Sequence, residues 1–313
     1  MKNLKRIKGD ASSRKFFRKT KKNYSSIIVI SKKEKVQNLL NYDAVNKILN
    51  KNKILAPKLY KENYDQNFLE IQDFGDNTIY KILKKKNINK ISYFKKIIKL
   101  LKNIQLIKTR RVKNFKKKNY LIPRYEKKVL IKEANLFREW YVKKNLPKKY
   151  IKNFEKKFKK IIRNLSSNLK LKNNTFVHRD FHVSNLMLVN NKIGVIDSQD
   201  ALFGNKAYDL ASLIDDVRLK TKDSFKKKIY DFYIKGLRES EKHKFKNDFE
   251  ILSVLRNLKI IGIFTRLAIR DNKKKYLRLI PYAWTLINLR INKNIIFKDL
   301  KELLAKYFKD KLK

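Results

Sequence analysis

Cysteine is absent from the 313-residue chain, and that absence removes disulfides, thiolate catalysis and Cys-based zinc sites together. Whatever chemistry the protein performs uses carboxylates, Lys, Arg or one of only three His. Proline and glycine are also scarce, at four and six residues, so long stretches can run as helix without being broken. An α-rich architecture is expected. No apolar run approaches the roughly 18 residues of a membrane span, and Met1 to Asp10 carries basic residues without the apolar core of a signal peptide. The expectation is a soluble, cytoplasmic protein without a membrane partner. Acidic residues are few as well: 28 Asp and Glu against 81 Lys and Arg give a formal charge of +53. Such an excess raises nucleic-acid binding as a reading. The lysines, however, run through nearly every segment beside abundant Ile and Asn, and no specific nucleic-acid partner is expected.

What the chain does have is apolar residue in quantity, 42% of the total, far from the composition of a disordered polymer. Its length allows two modest domains or one large one. The first seventy residues read as short strands, Leu4 to Ile7, Lys15 to Arg18, Ser26 to Ile30, Lys58 to Tyr60 and Asn67 to Gln72. One helix, Glu34 to Asn50, interrupts them with Val36, Leu39, Leu40, Val45, Ile48 and Leu49 near helical spacing. Asp73-Phe74-Gly75-Asp76-Asn77 is the clearest break, which sets a boundary between 1–74 and 75–313. Beyond it, Ile91 to Lys108 and Tyr125 to Lys144 are amphipathic helices with lysines between their apolar positions.

The pattern turns extended between Phe176 and Asp197. Leu186-Met187-Leu188-Val189 and Ile193-Gly194-Val195-Ile196 flank Asn190-Asn191-Lys192, a hairpin signature. With the turn centred on Asn191, residue 189 pairs with 193, 187 with 195, and Asn185 faces Asp197. Cross-strand Cβ atoms lie about 4.5 to 5.5 Å apart, so an amide oxygen and a carboxylate converge there on a hard cation such as Mg²⁺. Asp180 precedes Asn185 by five positions, on the loop entering the hairpin, as a candidate base for a substrate hydroxyl. His178-Arg179-Asp180-Phe181-His182-Val183-Ser184-Asn185 has the spacing of the kinase catalytic loop H-R-D-x-x-x-x-N, with Asp197 in the place of the later metal-binding aspartate. His178 and His182 are expected to be scaffolding, since Mg²⁺ takes oxygen ligands.

The stretch from Val177 to His182, with Asp200-Ala201 and Ala207-Tyr208-Asp209-Leu210-Ala211-Ser212-Leu213, resembles the aminoglycoside phosphotransferase superfamily. More narrowly the chain is similar to its N-acetylmuramate/N-acetylglucosamine anomeric sugar kinase branch. That likeness runs through Gly9-Asp10-Ala11-Ser12-Ser13-Arg14, Phe68 to Asp76, Pro123-Arg124-Tyr125 with Leu136 to Tyr141, and Gly262 to Leu267. The resemblance implies an α+β, bilobal protein-kinase-like fold, with a small N-terminal sheet lobe carrying one helix and a larger, mainly helical C-terminal lobe. ATP and Mg²⁺ are implied as cofactors and an amino sugar as substrate. Gly9, Asp10, Ala11, Ser12 and Ser13 are implied as the turn over the phosphates, Glu70, Ile71, Gln72 and Asp73 as the hinge beside adenine, and Asp209 as support for the catalytic loop. Tyr125, Glu133, Trp140 and Asp200 are candidates for the sugar site. Two positions depart from the superfamily. Ile28-Val29-Ile30-Ser31 stands where a strand lysine is usual, leaving Lys32, Lys33, Arg14 or Arg18 as substitutes and Asp43 or Glu34 as the acidic partner. Ser198 follows the metal aspartate where an aromatic residue is common.

Overall fold

The computed structural model describes residues 4–7, 14–21, 24–33 and 36–312. Five antiparallel strands open the chain: β1 (Leu4–Ile7), β2 (Lys15–Lys21), β3 (Tyr24–Ile30), β4 (Leu59–Asn63) and β5 (Phe68–Gln72), in the order β1-β2-β3-β5-β4. Helix α1 (Gln37–Lys51) intervenes between β3 and β4. Leu39 and Tyr42 of this helix bury against Val29, Leu69 and Ile71 of the sheet, with Phe16, Ile27 and Leu59 packed around them. Period-two alternation in β3 and β5 and helical spacing in α1 therefore meet at one apolar layer. Each of these elements lies within a few residues of its expected position.

By compactness the chain forms two units. The first comprises residues 1–124 with 175–203, and the second 125–174 with 204–313. In the first unit, α2 (Ile79–Leu83) starts at Thr78, whose side chain accepts from the Lys81 N–H at 3.2 Å. It is followed by α3 (Lys90–Gln105) and a small hairpin of β6 (Arg111–Lys113) and β7 (Asn119–Leu121). Strand β8 (Asn173–Val177) carries the chain back into this unit, ahead of the β9 (Leu186–Val189) and β10 (Lys192–Val195) hairpin.

The register of that hairpin differs by one residue from the expected one. Val189 pairs with Lys192, Met187 with Gly194 and Leu186 with Val195. The connection is a two-residue turn, Asn190-Asn191, with φ of +46° and +60°. A tight turn of this kind needs positive φ at both central residues and matches the twist of the strands, and asparagine tolerates it well. Asn185 consequently faces Ile196, whose N–H donates to the Asn185 carbonyl at 3.0 Å, and the expected opposition of Asn185 and Asp197 is corrected. The hairpin is pinned from outside. Leu188 N–H donates to Asn77 O and Val195 N–H to Leu55 O, both at 2.8 Å. A Cβ on Gly194 would meet Phe74 Cε2 at 2.9 Å and Leu55 O at 3.1 Å, so only glycine permits this approach.

The second unit is helical. Helix α4 (Lys127–Leu136) runs through a π-helical turn (Phe137–Val142) into α5 (Lys143–Asn145), and α6 (Lys148–Ser167) follows. After α7 (Tyr208–Ile214) and α8 (Asp223–Ile234) comes the 32-residue α9 (Glu239–Arg270), then α10 (Ile280–Ile291) and α11 (Lys298–Phe308). Phe137, Tyr141, Phe154, Phe158, Trp284 and Phe308 form a continuous aromatic core with ring centroids 5.3 to 6.4 Å apart. At the start of the π-helical turn, α9 presents Gly262. A Cβ there would lie 2.3 Å from the carbonyl carbon of Leu136 and 2.5 Å from Phe137 N. Backbone touches backbone at this crossing, and the neighbouring helix widens to π geometry beside it. Among the described residues no helix is long and apolar enough to cross a membrane.

Candidate active site

Chemistry in the first unit concentrates on the loop between β8 and β9. Val177 and His178 are fully buried and Phe181 anchors the loop from within, while Arg179 adopts φ +76°. A positive φ at a non-glycine residue is uncommon and persists where the surroundings enforce it. The loop is tied to itself: His182 N–H donates to Asp180 O at 3.0 Å and Asn185 N–H to His182 O at 2.9 Å. The Asn185 side chain closes the ring, its Nδ2 donating to Asp180 O at 3.1 Å. Asp180, Asn185 and Asp197 are all half-buried, neither sealed in the core nor fully solvated. Burial holds the His178 imidazole below the ordinary histidine range. It is therefore neutral at pH 7, as suits a scaffold inside the loop.

Asp197 has φ +65°, which takes its side chain out of the strand alternation that the hairpin would otherwise impose. The carboxylate receives the Arg14 guanidinium, and the same guanidinium donates to Gln199 Oε1 at 2.8 Å. Gln199 in turn donates to Asp200 at 2.9 Å, and Arg179 lies 3.7 Å from the Asp200 carboxylate. Ser198, between them, donates to Asn46 Oδ1 of α1 at 2.5 Å.

The residues present suit a hard divalent cation. Because Asn185 Nδ2 is directed at the Asp180 carbonyl, its Oδ1 is the atom it would offer to a metal, and Asp197 would offer a carboxylate oxygen. Among the described residues there is no group of three or more acidic or imidazole side chains that could form an all-protein cage.

The other expected residues fall as follows. Gly9, Asp10, Ala11, Ser12, Ser13 and Glu34 lie outside the described residues. Glu70, Ile71 and Gln72 occupy β5, paired on both sides, with Asp73 just beyond it. The Glu70 carboxylate accepts from Ser26 Oγ at 2.6 Å and from Lys19 at 3.2 Å. Burial alone would raise this group, but those donors outweigh it and hold it below the usual range. Arg18 is taken by Asp73 at 2.5 Å and Asp76 at 2.8 Å, and its hydrogen bonds hold the Asp76 carboxyl low. Asp43 pairs with Lys47, one turn on along α1, at 2.8 Å.

In the second unit, Tyr125 and Glu133 are only 4% and 8% exposed. The tyrosine hydroxyl donates to the Glu133 carboxylate, Lys259 reaches the same carboxylate at 3.0 Å, and Lys259 Nζ donates to Tyr208 OH at 3.4 Å. Burial raises the Tyr125 phenol well above its ordinary value, and the neighbouring Tyr208 and Glu133 act in the same direction. Trp140 is half-buried on the π-helical turn, and the other tryptophan, Trp284, occupies the core. Asp209 is completely buried on α7. Lys259, Asn46 and Gln199 were not visible as site neighbours in the sequence. Nothing separates Lys259 from the other basic residues until α9 is packed on α4. Asn46 carried a weak signal, being one turn from Tyr42 on the same helix face.

Comparison with known proteins gives the family and the fold. The phosphotransferase enzyme family matches residues 3–243. An N-acetylmuramate/N-acetylglucosamine kinase of Neisseria meningitidis is 30% identical over 284 residues, covering 87% of this chain and 80% of the relative. The protein of that name from Pseudomonas aeruginosa is 26% identical over 302 residues, covering 95% and 86%. Among solved structures, Plasmodium vivax ethanolamine kinase superposes with a TM-score of 0.62 at 15% identity, covering 94% of this chain and 83% of that one. An ADP-bound aminoglycoside phosphotransferase, APH(2'')-Ib, gives 0.59 at 15% identity, covering 90% and 91%. The fold is thus the α+β fold of the protein-kinase-like phosphotransferases, and the chain belongs to the phosphotransferase enzyme family.

Proposed function

We propose that the protein transfers the γ-phosphoryl group of ATP to a hydroxyl of an amino sugar, with the anomeric hydroxyl of N-acetylmuramate or N-acetylglucosamine as acceptor. The observation that carries the reaction type is the self-tied loop in which Asp180 O anchors Asn185 while Asp197 turns out of the strand. The sugar rests on the two relatives named above. The 1-phosphate product belongs to the chemistry of cell-wall sugar recycling.

In this reading the acceptor oxygen forms a bond to the γ-phosphorus, the bond to the β-phosphate bridging oxygen breaks, and ADP leaves. The acceptor proton passes to the Asp180 carboxylate, which is half-buried and close enough to bulk water to release it. Asn185 and Asp197 are the residues that would hold Mg²⁺, which supplies neutralisation of phosphate charge in a loose, highly anionic transition state. Residues 1–74 serve as the nucleotide lobe, with Gly9 to Ser13 over the phosphates and Glu70 to Asp73 beside adenine. Residues 75–313 form the catalytic and substrate lobe, where His178 and Asp209 support the loop and Tyr125, Glu133, Trp140 and Asp200 serve the sugar.

The test is product analysis. Purified protein with Mg²⁺, ATP and either sugar yields the anomeric 1-phosphate, identified by phosphorus–carbon-1 coupling in NMR. Phosphate at another hydroxyl, or turnover only with aminoglycosides, choline or ethanolamine, overturns the assigned acceptor.

A further inference from the structure

The cation that usually stands on the third strand of such a site is missing from β3, where Ile28, Val29 and Ile30 run into Ser31. We propose that Arg14 takes its place and clamps the nucleotide phosphates from the residue that leads into the neighbouring strand β2. This inference rests on the kinase reading above.

Sheet register carries the first part of the argument. Lys15 pairs with Ile30, so Arg14 stands beside Ser31, at the β3 end where the strand leaves the sheet. Its guanidinium is a built feature. The side chain is only 7% exposed, it reaches Asp197 and Gln199, and it lies 5.6 Å from the centroid of Phe16 and 6.0 Å from that of Tyr42. Two aromatic faces and two acceptors fix one orientation, with the planar fork beside the carboxylate expected to hold the metal. A cation and a metal ligand in contact can address the same phosphate oxygens, and the guanidinium fork fits phosphate geometry.

The competing cations are committed elsewhere or turned outward. Arg18 is held by Asp73 and Asp76, Lys19 by Glu70, and Lys32 and Lys33 are solvent-exposed. The acidic partner expected on α1 is replaced too. Asp43 pairs with Lys47, whereas the α1 residues beside the clamp are Tyr42, under the guanidinium, and Asn46, which accepts from Ser198. The two departures noted in the sequence, a missing strand lysine and a serine after Asp197, are thereby parts of one rearranged cluster.

Direct binding tests this without relying on turnover. NMR-detected titrations of wild type, Arg14→Met, Arg14→Lys and Asp43→Asn use adenosine, MgADP and MgATP as probes. Arg14→Met is expected to weaken MgADP and MgATP by about tenfold or more, the scale of a lost charge-assisted contact, and to leave adenosine unchanged. Arg14→Lys recovers part of the loss, and Asp43→Asn binds all three as wild type does. Asp197 is 35% exposed, so water can solvate it when the arginine is removed, and amide spectra of each variant verify the fold. Unchanged MgATP affinity in Arg14→Met, or an equal loss for adenosine, overturns the clamp while leaving the kinase reading intact. A wild-type protein that binds no nucleotide removes both.

Discussion

At the scale of single residues, the proposed catalytic loop would divide its labour between a group that reacts, Asp180, and groups that hold. Asp180→Ala is expected to lower turnover by about 10²- to 10⁴-fold, the usual contribution of a positioned base. The thermal midpoint is expected to stay nearly unchanged, because the Asp180 side chain is half-buried whereas Phe181 beside it is sealed in the core. Steady-state rates and a melting curve on the same sample check both parts, and near-normal turnover removes Asp180 from the base role. This much was legible from residue order, since H-R-D-x-x-x-x-N is a local pattern that needs no tertiary contact to recognise. Arg14 was not. Its identity as the cation beside Asp197 depends on the β2-β3 register and on a contact 183 residues away in sequence.

At the scale of elements, two devices in the helical unit can be tested. Gly262 lets α9 touch the backbone at Leu136 and Phe137. Gly262→Ala forces the helices apart and is expected to destabilise by about 1 to 3 kcal/mol, as overpacking commonly does, measured by denaturant unfolding. The second device is a buried junction. Asp215, at the end of α7, accepts from Arg290 of α10 at 3.0 Å and from Ser253 of α9 at 2.6 Å, and pairs with Lys226 of α8 at 3.2 Å. Burial alone would raise this carboxyl, but Arg290, Lys226 and Ser253 outweigh it and hold it below the ordinary value. A depressed carboxyl contributes stability that is complete above its unfolded pKa of about 3.9 and is lost as pH falls through the lower folded value. Asp215→Asn is therefore expected to cost about 3 to 5 kcal/mol at pH 7, because the buried Lys226 and the partly buried Arg290 lose their counter-charge, and the gap to wild type narrows below about pH 3.9. A gap independent of pH down to acid unfolding would refute the linkage.

At the scale of the whole molecule, the charge of +53 is a matter of solubility and long-range attraction, not of fold. It lies on many elements: α6 alone exposes Lys149, Lys152, Lys156, Lys157 and Lys160, with its apolar stripe of Phe154, Phe158, Ile161 and Ile162 turned inward. Binding to RNA or DNA is accordingly expected to be indifferent to sequence and to fall steeply as salt rises. Filter binding of unrelated oligonucleotides across a salt series checks this, and one preferred, salt-resistant ligand would contradict it.

The sequence by itself determined the strand and helix positions of the first seventy residues, the H-R-D-x-x-x-x-N motif ahead of the hairpin, the existence of that hairpin and the likeness to a phosphotransferase family, because periodicity and short motifs are written over neighbouring residues. Tertiary structure alone decided the hairpin register, where a two-residue turn moved Asn185 opposite Ile196. It also decided which of many cations meets Asp197 and that Lys259 joins Tyr125, Glu133 and Tyr208. Those choices depend on sheet pairing and helix crossing, which bring together residues whose separation in the chain carries no trace of their contact.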